Sequence, residues 1–176
     1  MDKEILYAIG GLILVFALGV KIVRPTQRAL IERLGKYKAF ANPGFHWIIP
    51  FIDKMYMVNV TEQMVDAQAQ EIITNDNLNA SVDAQVYFRV ISDEESVKAS
   101  QYNVNKYEWQ IVNLARTTLR NIIGTLTLKS ANSERRKINA ELHRTLLEET
   151  KTWGIDVIRT AIKQIDPPSD VQETMN

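Results

Sequence analysis

The chain has 176 residues with 21 basic and 21 acidic side chains, so its totals exert no pull toward nucleic acid or an acidic partner. It contains no cysteine, which excludes disulfides, thiolate metal sites and a cysteine nucleophile. The length suits one good domain, or two small lobes with an appendage.

The first 23 residues read as a membrane anchor. Ile5 to Val20 carries no charge, Lys21 interrupts, and Ile22 and Val23 continue the apolar run. A helix of that length crosses most of a hydrocarbon core, and a lysine at its end snorkels to the headgroups. The alternatives are a cleaved signal peptide and a buried helix. A signal peptide starts basic and ends in a small-x-small cleavage site. This start is Met1-Asp2-Lys3-Glu4 and the exit is Lys21 to Pro25. Gly10, Gly11 and Gly19 leave room for close helix packing, without GxxxG spacing. Lys21, Arg24, Arg28, Arg33, Lys36 and Lys38 follow the span, so the positive-inside rule predicts a single pass with the remainder in the cytoplasm.

From Pro25 to Val90 the pattern predicts strands. Arg28–Arg33 runs into a turn at Leu34-Gly35, and Met55–Val60 is a second strand. Between them lies NPGFHWIIPF, Asn42 to Phe51, with two prolines bracketing a charge-free aromatic run. The prolines keep it out of a regular sheet interior. It follows the apolar span closely, and its tryptophan and branched residues suit a bilayer interface. The expectation is that Phe45, Trp47, Ile48, Ile49 and Phe51 contact membrane, with Lys21 and Arg24 at the headgroups. The alternative is that Phe45 to Ile49 simply covers the sheet. Ala80 to Val90 alternates apolar and polar residues at period two, as a half-buried antiparallel strand does, and Asn75-Asp76-Asn77 marks the turn before it.

After Ser92-Asp93 the period becomes helical. Glu94–Ser100 predicts a short helix. Lys106–Ile123 predicts an amphipathic one with Ile111, Leu114, Ala115, Leu119, Ile122 and Ile123 on its inner stripe, ended by Gly124. A second long helix is expected from Ser133, as N-cap, to Trp153, with Gly154 after it and Ile138, Leu142 and Leu146 inside. Ile155–Asp166 predicts a last strand. Pro167-Pro168 stops it, and Val171–Asn176 is barely a turn of helix, too short to be stable alone. That segment is expected to continue past Asn176 or to be cut within a helix. The organisation predicted is an anchor over 1–23, a sheet-rich lobe over 24–93, a helix-helix-strand lobe over 94–166, and the start of a C-terminal helix over 167–176.

Charge falls in blocks: net +4 over residues 24–60, −7 over 61–95, +4 over 96–130 and −1 over 131–176. They read either as solvated faces or as complementary patches that set register between copies. Candidate contacts between copies are Arg116, Arg120, Asp83, Val171 and Met175. No catalytic constellation is visible: there is no phosphate-binding glycine loop, no G-x-S-x-G and no H-E-x-x-H. Glu94-Glu95 and Glu148-Glu149 are sequence neighbours that point apart on a helix. His46 and His143 read as packed or interfacial side chains. No cofactor, metal or nucleic acid is expected.

In consecutive order the chain carries ERLGKY (Glu32–Tyr37), NPGFHWIIPFID (Asn42–Asp53), QEIITNDN (Gln70–Asn77), VDAQVYFRV (Val82–Val90), TTLRNIIG (Thr117–Gly124) and RKINAEL (Arg136–Leu142). WGIDV (Trp153–Val157), IDPP (Ile165–Pro168) and VQETM (Val171–Met175) complete the series. Over about residues 24–176 it resembles the stomatin/prohibitin/flotillin superfamily, the SPFH or band 7 domain, and looks most like its stomatin-like members. The resemblance implies an α+β fold in two subdomains behind a membrane segment, then a long C-terminal helix. It implies homo-oligomers, often rings or cages on the membrane, that scaffold lipids and membrane proteins without catalytic residues. A membrane protease or an NfeD-like protein is the partner implied. Lys129–Asn132 departs from the pattern, lacking the acidic residue and paired leucines usual before the second helix. The function expected is a non-enzymatic membrane scaffold. The alternative is an adaptor of one membrane protease or channel that forms no array. A membrane hydrolase using Ser133 and His143 is a distant third.

Overall fold

Strand structure begins earlier than hydropathy suggests. In the computed structural model, which describes residues 2–163 and Ile165, the first helix α1 covers Lys3–Leu18, and Val20–Val23 is already a strand, β1. The apolar run therefore does not continue helically to Val23 as expected. The physical reason is local and tertiary at once. Val20, Ile22 and Val23 are β-branched and favour extended backbone, and β1 finds a partner in β4, Gly44–Trp47. The remaining elements in order are β2 Gln27–Arg33, β3 Lys36–Ala41, β5 Asp53–Asn59, β6 Gln63–Ile73, β7 Asn79–Val90, α2 Glu94–Tyr102, α3 Tyr107–Ile123, α4 Leu128–Ser133, α5 Arg135–Thr150, a 3-10 turn Lys151–Trp153, and β8 Ile155–Ile162. The fold class is α+β, with antiparallel sheets and helices, as expected.

The described chain forms two compact units. One comprises residues 2–61 and 92–97, the other residues 62–91 and 98–163. This differs from the boundary expected near residue 93, because β6 and β7 share a sheet with β8. In the first unit β1 and β4 make a two-stranded antiparallel ribbon, and β3-β2-β5 makes a three-stranded sheet. Val23, Ala29 and Ala41 are its buried cluster, with Ile31 and Met55 packed against them.

In the second unit the sheet order is β6-β7-β8, all antiparallel. The period-two pattern of β7 decides its inner face: Ala80, Val82, Ala84, Val86, Phe88 and Val90 are all buried. Helices α3 and α5 cover the sheet through Ile111, Ala115, Leu119 and Ile123, and through Ile138, Leu142 and Leu146. Phe88 meets the Tyr107 ring edge-on, with centroids 5.8 Å apart.

The expected start of the second long helix is corrected. Ser133 closes the short helix α4, its hydroxyl donating to the Ser130 carbonyl at 3.2 Å. The N-cap of α4 is Thr127, whose side chain accepts from Ser130 N at 3.1 Å, and α5 begins at Arg135 after Glu134, which makes no side-chain cap bond. Gly154 does follow the helix, at φ 68, where a side chain would be strained. The expected helix over 167–176 lies outside the described residues.

Candidate functional site

Helix α1 sets the problem. All 16 of its residues are exposed, including Leu6, Leu12, Ile13, Leu14, Phe16 and Leu18. A helix apolar on every side needs an apolar surround. Yet 16 residues rise only ~24 Å, short of the ~30 Å of a hydrocarbon core. Among the described residues no helix is long and apolar enough to cross a membrane.

The chain beyond α1 extends its apolar surface. Gly19 ends the helix, and the proline-bracketed segment closes on that exit. The Trp47 indole Nε1 donates to the Phe16 carbonyl at 2.9 Å, and the Ile48 amide donates to the Gly19 carbonyl at 2.9 Å. The Phe16 and Trp47 rings stack, 5.8 Å between centroids and 17° between planes. A Cβ on Gly19 would lie 2.3 Å from the Ile48 carbonyl oxygen and 2.5 Å from Trp47 Nε1. Only glycine allows this approach.

The β1–β4 ribbon carries the apolar surface onward. Val20 pairs with Trp47 and Ile22 with Phe45, so these four lie on one face, and Ile22 and Phe45 are 68% and 64% exposed. Lys21 pairs with His46 on the other face, and His46 Nε2 hydrogen-bonds with the Asn42 carbonyl at 2.6 Å.

Leu34 and Phe51 form a second exposed apolar tip, Phe51 lying four residues past Trp47. Phe51 is 91% exposed at φ 69, and Leu34 is 79% exposed at φ 52. The Leu34 amide donates to the Ile52 carbonyl at 3.3 Å, which places the two turns side by side. Large apolar residues in left-handed backbone and in full contact with water are doubly disfavoured, and such outliers gather at functional sites. Asp53 holds this loop. Its carboxylate accepts two bonds from Arg33, at 2.7 and 3.1 Å, and one from the Ile49 amide at 3.1 Å. The Arg33 guanidinium keeps the Asp53 carboxyl below the usual carboxylate range, against the upward push of burial.

Of the membrane-contact candidates, Phe45, Trp47, Phe51, Lys21 and Arg24 are exposed and Ile49 is half-buried. Ile48 is corrected: it is buried, at 5% exposure, rather than presented with the others. Leu34 joins the exposed group although the sequence does not single it out; its only signal there is an apolar residue in a Leu-Gly turn.

The described candidates for contact between copies, Arg116, Arg120 and Asp83, each have a partner within the chain. Arg116 donates to the Gln68 carbonyl at 3.1 Å and Arg120 to Gln70 Oε1 at 3.2 Å, while Gln70 donates to the Arg116 carbonyl at 2.9 Å. Both arginines thus hold α3 onto the bulge of β6, where one extra residue lies between Ala67 and Gln70. Asp83 pairs with Lys163 at 3.4 Å. Val171 and Met175 lie outside the described residues. The second unit also exposes Trp109, at 66%, on an open cavity of ≈ 270 Å³ that Leu114, Glu149 and Trp153 also line. The His143 ring Nε2 hydrogen-bonds with the Val157 carbonyl at 2.8 Å. Among the described residues no three His, Asp or Glu side chains gather as a metal site.

Comparison with known proteins gives a consistent picture. The model for the SPFH domain / Band 7 family matches residues 21–176. A stomatin homologue of Pyrococcus horikoshii is 38% identical over 164 residues, which are 93% of this chain and 60% of that protein. A stomatin homologue of Pyrococcus abyssi matches to the same extent. An uncharacterised protein of Methanothermobacter thermautotrophicus is 39% identical over all 176 residues. The chain spans 54% of that relative's length.

Proposed function

This chain belongs to the SPFH domain / Band 7 family, and from that premise we propose that it is a membrane-held scaffold subunit of the stomatin type, without enzymatic activity. One observation carries the reading: a fully exposed apolar helix is clamped onto an end of the first unit that is itself apolar and exposed. In water that surface is a liability. In a bilayer α1 lies in hydrocarbon, while Phe45, Trp47, Leu34 and Phe51 sit at the interface, where aromatic rings are favoured. The ribbon supplies at the interface some of the apolar depth that a ~24 Å helix lacks. Lys21 and Arg24 then meet the headgroups, and the basic flank favours the cytoplasmic side of the cell membrane.

The scaffold role adds assembly. Many identical copies, packed side by side through heterologous contacts, close into rings or cages. They hold lipids and membrane proteins, such as a protease or an NfeD-like protein, at a fixed spacing. Trp109 is the side chain we assign to a contact between copies, since exposed tryptophans anchor interfaces.

Two measurements test this. The full chain with Trp109 and Trp153 changed to Phe is reconstituted into vesicles whose acyl chains carry bromine. Trp47 emission is expected to be quenched, and indifference to the bromolipid sinks the membrane reading. Native mass in mild detergent is expected to give a narrow, high-copy species. A monomer or dimer overturns the array and favours an adaptor of a single membrane protease or channel.

A further inference from the structure

Beside the exit of α1 the first unit has an open cavity of ≈ 500 Å³, lined by Lys21, Ile48, Asp53, Lys54, Met55, Tyr56 and Met57. Lys21 comes from β1 and Lys54 from β5, the outer strand of the three-stranded sheet. Neither lysine forms an ion pair with another described residue. The one carboxylate in the lining, Asp53, is already satisfied by both Arg33 nitrogens and the Ile49 amide. Asp53 therefore does not neutralise the lysines; Glu32 on β2 lies opposite Lys54 in the register without closing an ion pair, and Lys21 has no acidic partner in the lining. Its base is apolar, formed by buried Ile48 and half-buried Met55, while Tyr56 and Met57 are 45% and 41% exposed.

Its position decides the ligand. Lys21 is three residues beyond Leu18, the last residue of α1. If α1 lies in a bilayer, this cavity opens at the level of the lipid phosphates. We propose that it binds the phosphate headgroup of an anionic lipid, with Lys21 and Lys54 as its two charge partners and the Tyr56 and Met57 side chains against the glycerol region. The proposal rests on the membrane reading above and adds a lipid class to it. Ammonium–phosphate contacts are charge-assisted and specific in sign. A headgroup already delivered beside α1 is held at high effective concentration, which favours lipid over a soluble phosphate ester. A peptide strand pairing with β5 is the less favoured occupant, because Lys54 on that edge opposes strand addition.

The test is native mass spectrometry of the full chain in detergent with added phosphatidylglycerol, phosphatidylcholine or glycerol 3-phosphate. Phosphatidylglycerol is expected to be retained at one per protomer and preferentially over phosphatidylcholine. K21Q/K54Q is expected to weaken that retention about tenfold or more, leaving phosphatidylcholine unchanged. K38Q, which removes an exposed charge on β3 outside the cavity, is expected to behave as the native chain. Equal retention of the two lipids, native-like retention by K21Q/K54Q, or an equal loss in K38Q overturns the site. Glycerol 3-phosphate binding as tightly as the lipid overturns the lipid as its source. Flotation with pure phosphatidylcholine vesicles separates the two readings. If neither the native chain nor K21Q/K54Q floats, the membrane reading fails. If both float and neither selects phosphatidylglycerol, the headgroup site alone fails.

Discussion

Replacing Gly19 by alanine probes the junction between α1 and the ribbon. The added Cβ starts 2.3 Å from the Ile48 carbonyl oxygen and 2.5 Å from Trp47 Nε1, whereas ordinary contact begins at 3.4 Å. The obstacle at Ile48 is backbone, so the helix end and the segment after β4 must separate by roughly 1 Å. Two hydrogen bonds of 2.9 Å, from Ile48 N to Gly19 O and from Trp47 Nε1 to Phe16 O, do not survive that shift. At about 1 kcal/mol each the loss is about 2 kcal/mol, and the Phe16–Trp47 stack adds roughly 0.5–1.5 kcal/mol. Together about 2.5–3.5 kcal/mol, this corresponds to roughly 60- to 300-fold more frequent local opening. Hydrogen exchange at the Ile48 amide in the reconstituted full chain reads this directly. Gly10→Ala and Gly11→Ala are the controls, since a Cβ at either meets nothing within 4 Å. An Ile48 exchange rate in Gly19→Ala within about threefold of the native chain refutes the close-approach argument.

In the second unit, Leu146→Ala removes a fully buried side chain of α5 and is expected to destabilise that unit by about 2–5 kcal/mol, read as a lower urea midpoint by Trp153 fluorescence. A loss below about 1 kcal/mol contradicts the packing. For Asp53 the folded carboxyl titrates below its unfolded value, so its contribution is present above the unfolded pKa of about 3.9 and is lost as pH falls through the lower folded value. Asp53→Asn is therefore expected to be less stable than the native chain at pH 7, with the gap closing in acid; a gap constant down to pH ~3 refutes the assignment. Trp109→Ala is expected to shrink the high-copy species in native mass without moving the thermal midpoint. Unchanged mass removes this face from the assembly.

Local periodicity is enough for the elements whose partners do not alter their pattern. β7 alternates over its whole length and α5 repeats its apolar stripe, so both are legible residue by residue, as are Gly154 and the class of fold. β6 is not legible, because the extra residue between Ala67 and Gln70 breaks its alternation, and β3 shows no clean period. The apolar chemistry of the first 51 residues is readable as composition, but composition does not distinguish helix from strand where the run is β-branched. Only the pairing of β1 with β4 ends α1 at Leu18, sends Ile48 inward while Phe45 stays out, and makes Gly19 a contact. Likewise the charges of Arg116 and Arg120 are visible, but not that a bulge in a distant strand engages both. Sequence determines what each short segment favours; which face it buries is set by partners tens of residues away, and that is a property of the tertiary structure.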